Sequence, residues 1–205
     1  MGVLWMSAGS PGMLRSFDPF DIAELEYRMW VGYYLRRWTQ VLSAMISLLR
    51  MGFGMNLVLI VRGTWLMMRA VRLWAPFPDN DPDGAQAYMC ELYELVRSRF
   101  GEPADPARAA ALELDWWRVH RERQYMADPT ERSDELVESV IRLYSYLFDE
   151  TEAAVRPAAI HRVEAMDLSD QWVREGCPPD SSLLSHERAA LVRAYAALLA
   201  AVHHA

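Results

Sequence analysis

The sequence predicts an all-α fold, a single compact bundle of about seven helices, and three observations carry that expectation. No stretch alternates apolar and polar residues for long, which argues against sheet. Apolar residues instead recur at three- and four-residue spacing in successive blocks. Helix-start signatures introduce several of those blocks: Asp18-Pro19-Phe20-Asp21, Asp105-Pro106 and Asp128-Pro129-Thr130-Glu131. Each sets a capping carboxylate before a first-turn proline, and the last adds a capping-box glutamate.

The elements follow in order. Helix one is expected over about Phe20 to Met51 and helix two over about Asn56 to Trp74, separated by a glycine-interrupted turn. A Pro/Asp/Asn-rich loop, 75–84, then leads to helix three, about Ala85 to Phe100. Helix four runs from about Pro106 to Met126 and helix five from about Thr130 to Phe148. Helix six covers about Val155 to Arg174, with Pro157 in its first turn, and Gly176-Cys177-Pro178-Pro179 breaks it. Helix seven runs from about Leu183 to His203. Connections are short and no repeat is present, so residues 18–205 are expected to form one domain behind a disordered segment, 1–17.

Bulk properties narrow the function classes. The chain has 205 residues, 52% hydrophobic and 24% charged, enough to bury a core without disulfides or metals as staples. Its two cysteines, Cys90 and Cys177, have no metal spacing and suit reduced thiols in a cytoplasm. The formal net charge of -7 argues against a nucleic-acid partner. The first residues lack the basic and long apolar regions of a signal peptide. The apolar stretch from Thr39 to Val61 is about long enough to span a bilayer, but Arg50, Gly52 and Gly54 interrupt it. It reads as two helices meeting at a turn, with membrane contact ranked behind a small apolar ligand, a protein partner or a homodimer. The Arg-, Ala- and Trp-rich composition fits a GC-rich bacterial source.

Candidate chemistry comes from polar residues on the apolar stripe of their own helix, taking about 100° per residue. With Glu113 as reference, His120 lies about 20° away, and Trp116, Trp117 and Leu112 flank them on the same face. Glu24 aligns with Val31, Leu35 and Leu42, whereas Glu26 points outward. His161 aligns with Leu168 and Trp172, and Glu164 sits one turn on. Glu187 lies among Ala190, Ala194 and Leu198. Helix five offers no inward acid; its inner line is Leu136, Val140, Leu143 and Leu147. Four helices therefore contribute Glu24, Glu113, His120, His161, Glu164 and Glu187. Buried carboxylates need partners, and four glutamates with two histidines inside a bundle is a ligand set for two iron or manganese ions.

The spacing Glu113-x6-His120 resembles one used by haem-oxygenase-like di-iron oxidases, and His161-Arg162-Val163-Glu164 is similar to a shortened form of that family's second ligand helix. Leu168 stands where the family has a further histidine, and the Glu-x-x-His pairs of ferritin-like proteins are absent in that order. The resemblance implies oxygen activation by two metal ions and oxidation of a small apolar substrate. Tyr27, one turn from Glu24, would then hydrogen-bond a ligand.

A second reading assigns no catalysis. Glu24 and Glu187 sit in early helical turns, where the helix dipole favours acids, and the abundant arginines can pair buried glutamates. The inward acids would then form a hydrogen-bond network. The methionines Met45, Met51, Met55, Met67 and Met68 would give the Met- and Trp-rich first hairpin an adaptable apolar surface or pocket, while the aromatics Tyr27, Trp30, Tyr33, Tyr34 and Trp38 are expected in core and inter-helix packing. The two readings differ in geometry: the metal reading requires at least four of the six side chains to converge on a common ion, and the binding reading requires scattered, paired acids and an exposed apolar patch.

Overall fold

The computed structural model describes residues 15–52, 54–125 and 133–203. Among them it is all-helical, with eight α-helices and no strand: α1 Pro19–Tyr34, α2 Trp38–Met51, α3 Leu57–Trp74, α4 Pro82–Phe100, α5 Pro106–Gln124, α6 Ser133–Phe148, α7 Glu152–Arg174 and α8 Ser182–Val202. The start expected at Asp128–Glu131 lies outside the described residues, as do residues 1–14 of the segment expected to be disordered. Arg15 is tied in, donating hydrogen bonds to Glu102, Glu150 and the Phe148 carbonyl.

The extra helix arises because the long first helix expected from Phe20 to Met51 is two helices. Arg36 adopts a left-handed conformation at φ 55°. Its N–H donates to the Tyr33 carbonyl at 3.1 Å, and the Arg37 N–H donates to the Gly32 carbonyl at 2.8 Å. These two bonds make a Schellman stop, which usually places glycine at the left-handed position. Arginine there carries no sequence signal of a break.

The remaining starts follow local chemistry. The side chains of Asp18, Asn56, Asp81, Asp105, Thr151 and Ser181 each accept a first-turn backbone N–H, supplying partners that helix geometry leaves wanting. Asp81-Pro82 starts α4 earlier than expected. Thr151 does the same for α7 and leaves Pro157 inside the helix rather than in its first turn.

Each helix packs against the next along the chain, and α8 closes back on α1, so the eight form a ring. The inner line expected for α6 is present: Leu136, Val140 and Leu143 are buried against Trp116 and Val119 of α5 and Val155 and Val163 of α7. A second cluster joins Leu66 and Ala70 of α3 to Met89 of α4 and Leu114 of α5. The hairpin of α2 and α3 is seated closely. A Cβ added at Gly63 would lie 3.3 Å from Leu49 of α2 and 3.5 Å from Leu92 and Leu95 of α4, so α3 is lodged between its neighbours there. Among the described residues no helix is long and apolar enough to cross a membrane.

Candidate functional site

Two features stand out, one inside the ring and one outside. The inner one is a narrow cavity lined by Glu26, Trp30 and Tyr34 of α1, His120 of α5, Arg162, Ser169 and Asp170 of α7, and Glu187 of α8, with the apolar side chains of Ala165, Met166 and Leu191 completing its walls. Its space is on the order of one water molecule.

Arg162 forms an ion pair with Glu26, and the Tyr195 hydroxyl donates to the same carboxylate oxygen. Trp30 Nε1 donates to the other oxygen at 3.1 Å, so both oxygens of this buried acid are used. Burial opposes the charge on Arg162, but Glu26, Tyr144 and Tyr195 outweigh it and the guanidinium stays charged. His120 Nε2 shares a 3.0 Å hydrogen bond with Asp170 Oδ2, and Gln124 donates to Asp170 Oδ1 at 2.7 Å. His120 also stands edge-on to the Trp30 ring.

Glu187 differs from these. It is 2% exposed, and among the described residues nothing donates a hydrogen bond to its Oε2. Burial, with Glu26 and Asp170 nearby adding like charge, pushes its carboxyl up to about 8, which Ser169 only partly relieves. The group is therefore a neutral acid at pH 7.

The six residues expected as ligands are not gathered. Only His120 and Glu187 line the cavity. Glu24 is half-buried at the α1–α8 seam, 2.6 Å from Arg188 Nε. Glu113 accepts from the Tyr93 hydroxyl at 2.9 Å and from Trp117 Nε1 at 3.1 Å; burial raises its carboxyl above the ordinary value despite these donors. His161 and Glu164 pair with each other at 3.1 Å, and Arg193 donates to Glu164 at 2.8 Å. Burial pushes the Glu164 carboxyl up, but His161 and Arg193 outweigh it and hold it below its usual range. Among the described residues no group of three or more His, Cys, Asp or Glu is placed to hold a metal ion.

Glu26, Arg162 and Asp170 were missed by the sequence reading. The outward placement expected for Glu26 rests on an alignment that runs on to Leu42, which lies beyond the break at Arg36. For α7 a signal was available: Val155, Ala159, Val163, Met166 and Ser169 mark the buried side, and Arg162 lies within that arc at helical spacing.

The outer feature is the solvent face of α2 and α3. Among the described residues thirteen large apolar side chains are exposed, and nine of them belong to this hairpin. On α2 they are Trp38, Leu42 and Ile46, four residues apart, and then Met51. On α3 they include Leu57 at 75%, Val58 at 76%, Val61 at 62% and Trp65 at 53% exposure, followed by Met68. The other exposed residues of α3 are Arg62, Arg69 and Arg72. Arg69 lies over the rings of Trp65 and of Tyr88 on α4. Met45 and Met55 are buried against the neighbouring helices rather than offered to solvent.

No family model, curated protein or solved structure matches this chain.

Proposed function

We propose that this protein is a non-catalytic helical module that docks an apolar surface or ligand through the outward face of its α2–α3 hairpin. One observation carries the reading: α3 exposes only apolar side chains and arginine, so no neutral polar side chain of α3 itself faces solvent. A contiguous apolar face of this kind marks an interaction surface rather than ordinary solvent-facing helix. The inward acids support it from the other side. Five of the six expected ligands already have partners, as a structural hydrogen-bond network requires. Reduced thiols at Cys90 and Cys177, both free, fit a cytoplasmic setting.

The test is a polarity-sensitive apolar fluorophore titrated into the wild-type chain and into a V58S/V61S/W65S variant. Saturable binding by the wild type, weakened at least tenfold in the variant, is expected. Equal binding by both would sink the reading.

The dinuclear iron or manganese site has one observation in its favour: the Glu187 carboxyl, with no donor to its Oε2 among the described residues, lines a cavity shared with Glu26, His120 and Asp170. Against it, the six residues first assigned to that site are distributed over three separate pairs and the cavity. Elemental analysis of protein grown with both metals decides it: about two equivalents, lost in H120A, would restore the oxidase reading.

A further inference from the structure

Charge along this chain is segregated. Between Glu26 and Asp79 there are seven arginines (Arg28, Arg36, Arg37, Arg50, Arg62, Arg69, Arg72) and no acidic residue. The whole chain carries -7; this segment contributes seven positive charges, which leaves -14 for the rest. All seven arginines are exposed. Among the described residues only Arg62 meets an acid, Glu91 at 4.0 Å with both side chains more than half exposed, a contact of little strength.

We propose that the occupant of the hairpin face is an anionic lipid surface, on which α2 and α3 lie in the plane of the headgroups. This rests on the docking reading above and names its partner. The apolar residues of α3 and its arginines share one arc: with Leu57 as zero, every exposed position falls within about 140°. Arg72 lies within the apolar part of that arc, and Arg62 and Arg69 at its edge. Such interleaving suits an interface where aliphatic stems and indole rings enter the acyl boundary while guanidinium heads reach back to phosphates. Arginine and tryptophan also serve protein interfaces, but there each desolvated guanidinium needs its own placed counter-charge, whereas an anionic headgroup layer offers phosphates at every position. Trp38 and Trp65 have the amphipathic ring favoured at headgroup depth. The face is the outside of two packed helices, and the cavity lies elsewhere. A bilayer requires no matching shape, whereas a small apolar ligand requires a concave site.

The remaining surface reinforces the assignment. With -14 outside the segment, a negatively charged bilayer repels the rest of the molecule and attracts the hairpin, so one orientation is selected before contact.

The experiment is co-sedimentation of the full chain with phosphatidylcholine vesicles, with and without phosphatidylglycerol. Retention on the anionic vesicles at least tenfold stronger than on the neutral ones is expected, falling as salt is raised. R50Q/R62Q/R72Q should lose that preference by on the order of tenfold or more, at about 1 kcal/mol per arginine near the surface. V58S/V61S/W65S should lose retention on both compositions, with circular dichroism confirming that each variant keeps its helices. Equal retention on the two compositions, or none, overturns the lipid assignment. If none is seen while the apolar fluorophore still separates wild type from V58S/V61S/W65S, docking stands with another occupant. A concentration-dependent dimer abolished by V61S/W65S would identify that occupant as a second copy. If the fluorophore fails to separate them as well, both readings fall.

Discussion

Glu26 of α1 and Arg162 of α7 meet as an ion pair inside the ring, 136 residues apart in sequence. Removing one partner strands the other charge without water. Arg162→Ala is expected to destabilise the fold by about 3–5 kcal/mol. The double variant Glu26→Leu, Arg162→Met removes both charges and should recover most of that loss, since a well-packed apolar pair replaces a buried ion pair at little net cost. Urea unfolding of the two variants and wild type checks this; a double variant as unstable as Arg162→Ala would show that the pair does more than neutralise itself.

Glu187 makes stability depend on pH in an unusual direction. The unfolded carboxyl titrates near 4.3, whereas the folded one is raised to about 8. Between these values the folded protein holds a proton that the unfolded chain has released, so stability falls as pH rises and levels off above the folded value. Glu187→Gln keeps the shape of the neutral acid and removes the titration. It is expected to be more stable than wild type by about 2–4 kcal/mol at pH 8 and nearly equal at pH 4. Glu113, raised in the same direction by burial, should leave a residual slope of the same sign. Thermal unfolding across pH 4–9 measures both.

Most of the fold was legible in the sequence because helix starts are written in local chemistry. Asp-Pro pairs place the starts of α1 and α5, and apolar periodicity places α3, α7 and α8 to within a few residues; the structure adds their Asn56, Thr151 and Ser181 caps. The stop after Tyr34 was not legible, because its left-handed residue is arginine and only the backbone bonds to Tyr33 and Gly32 reveal it. That one miss propagated: it tied α1 to residues past the break and turned Glu26 outward on paper. The line of Glu187, Ala190, Ala194 and Leu198 lies within an unbroken helix and came out buried as expected. Partner identity was the least legible. Periodicity shows that a residue faces inward, but whether Glu113 meets a metal or Tyr93 depends on which helix lies opposite.

Arg36 offers a direct test of that stop. A non-glycine residue at φ 55° costs roughly 1–2 kcal/mol, part of which glycine returns through its looser unfolded state. Arg36→Gly is expected to stabilise the protein by about 0.5–1 kcal/mol, read from chemical denaturation. A loss of stability would mean that the arginine side chain contributes contacts outweighing the backbone strain.

The hairpin face should be silent in the same assay. V58S/V61S changes side chains that already face water, at 76% and 62% exposure, so unfolding free energy is expected to stay within about 0.5 kcal/mol of wild type. A larger loss would place these side chains in the packing of the monomer and remove the contrast on which the docking reading depends.

The closed order of the helices has a kinetic meaning. Seven of the eight seams in the ring join helices that are neighbours in the chain, where the connecting loop is short and its closure inexpensive in entropy. The eighth joins α1 to α8, and its Tyr195–Glu26 hydrogen bond links residues 169 apart. That seam joins the two ends of the chain, so it is expected to form late in folding and to open first in unfolding. When it opens, Glu26, Glu187 and Arg188 reach water while the other seven seams hold. The molecule then behaves as a bracelet with one clasp, and substitutions at the clasp should speed unfolding more than they slow folding.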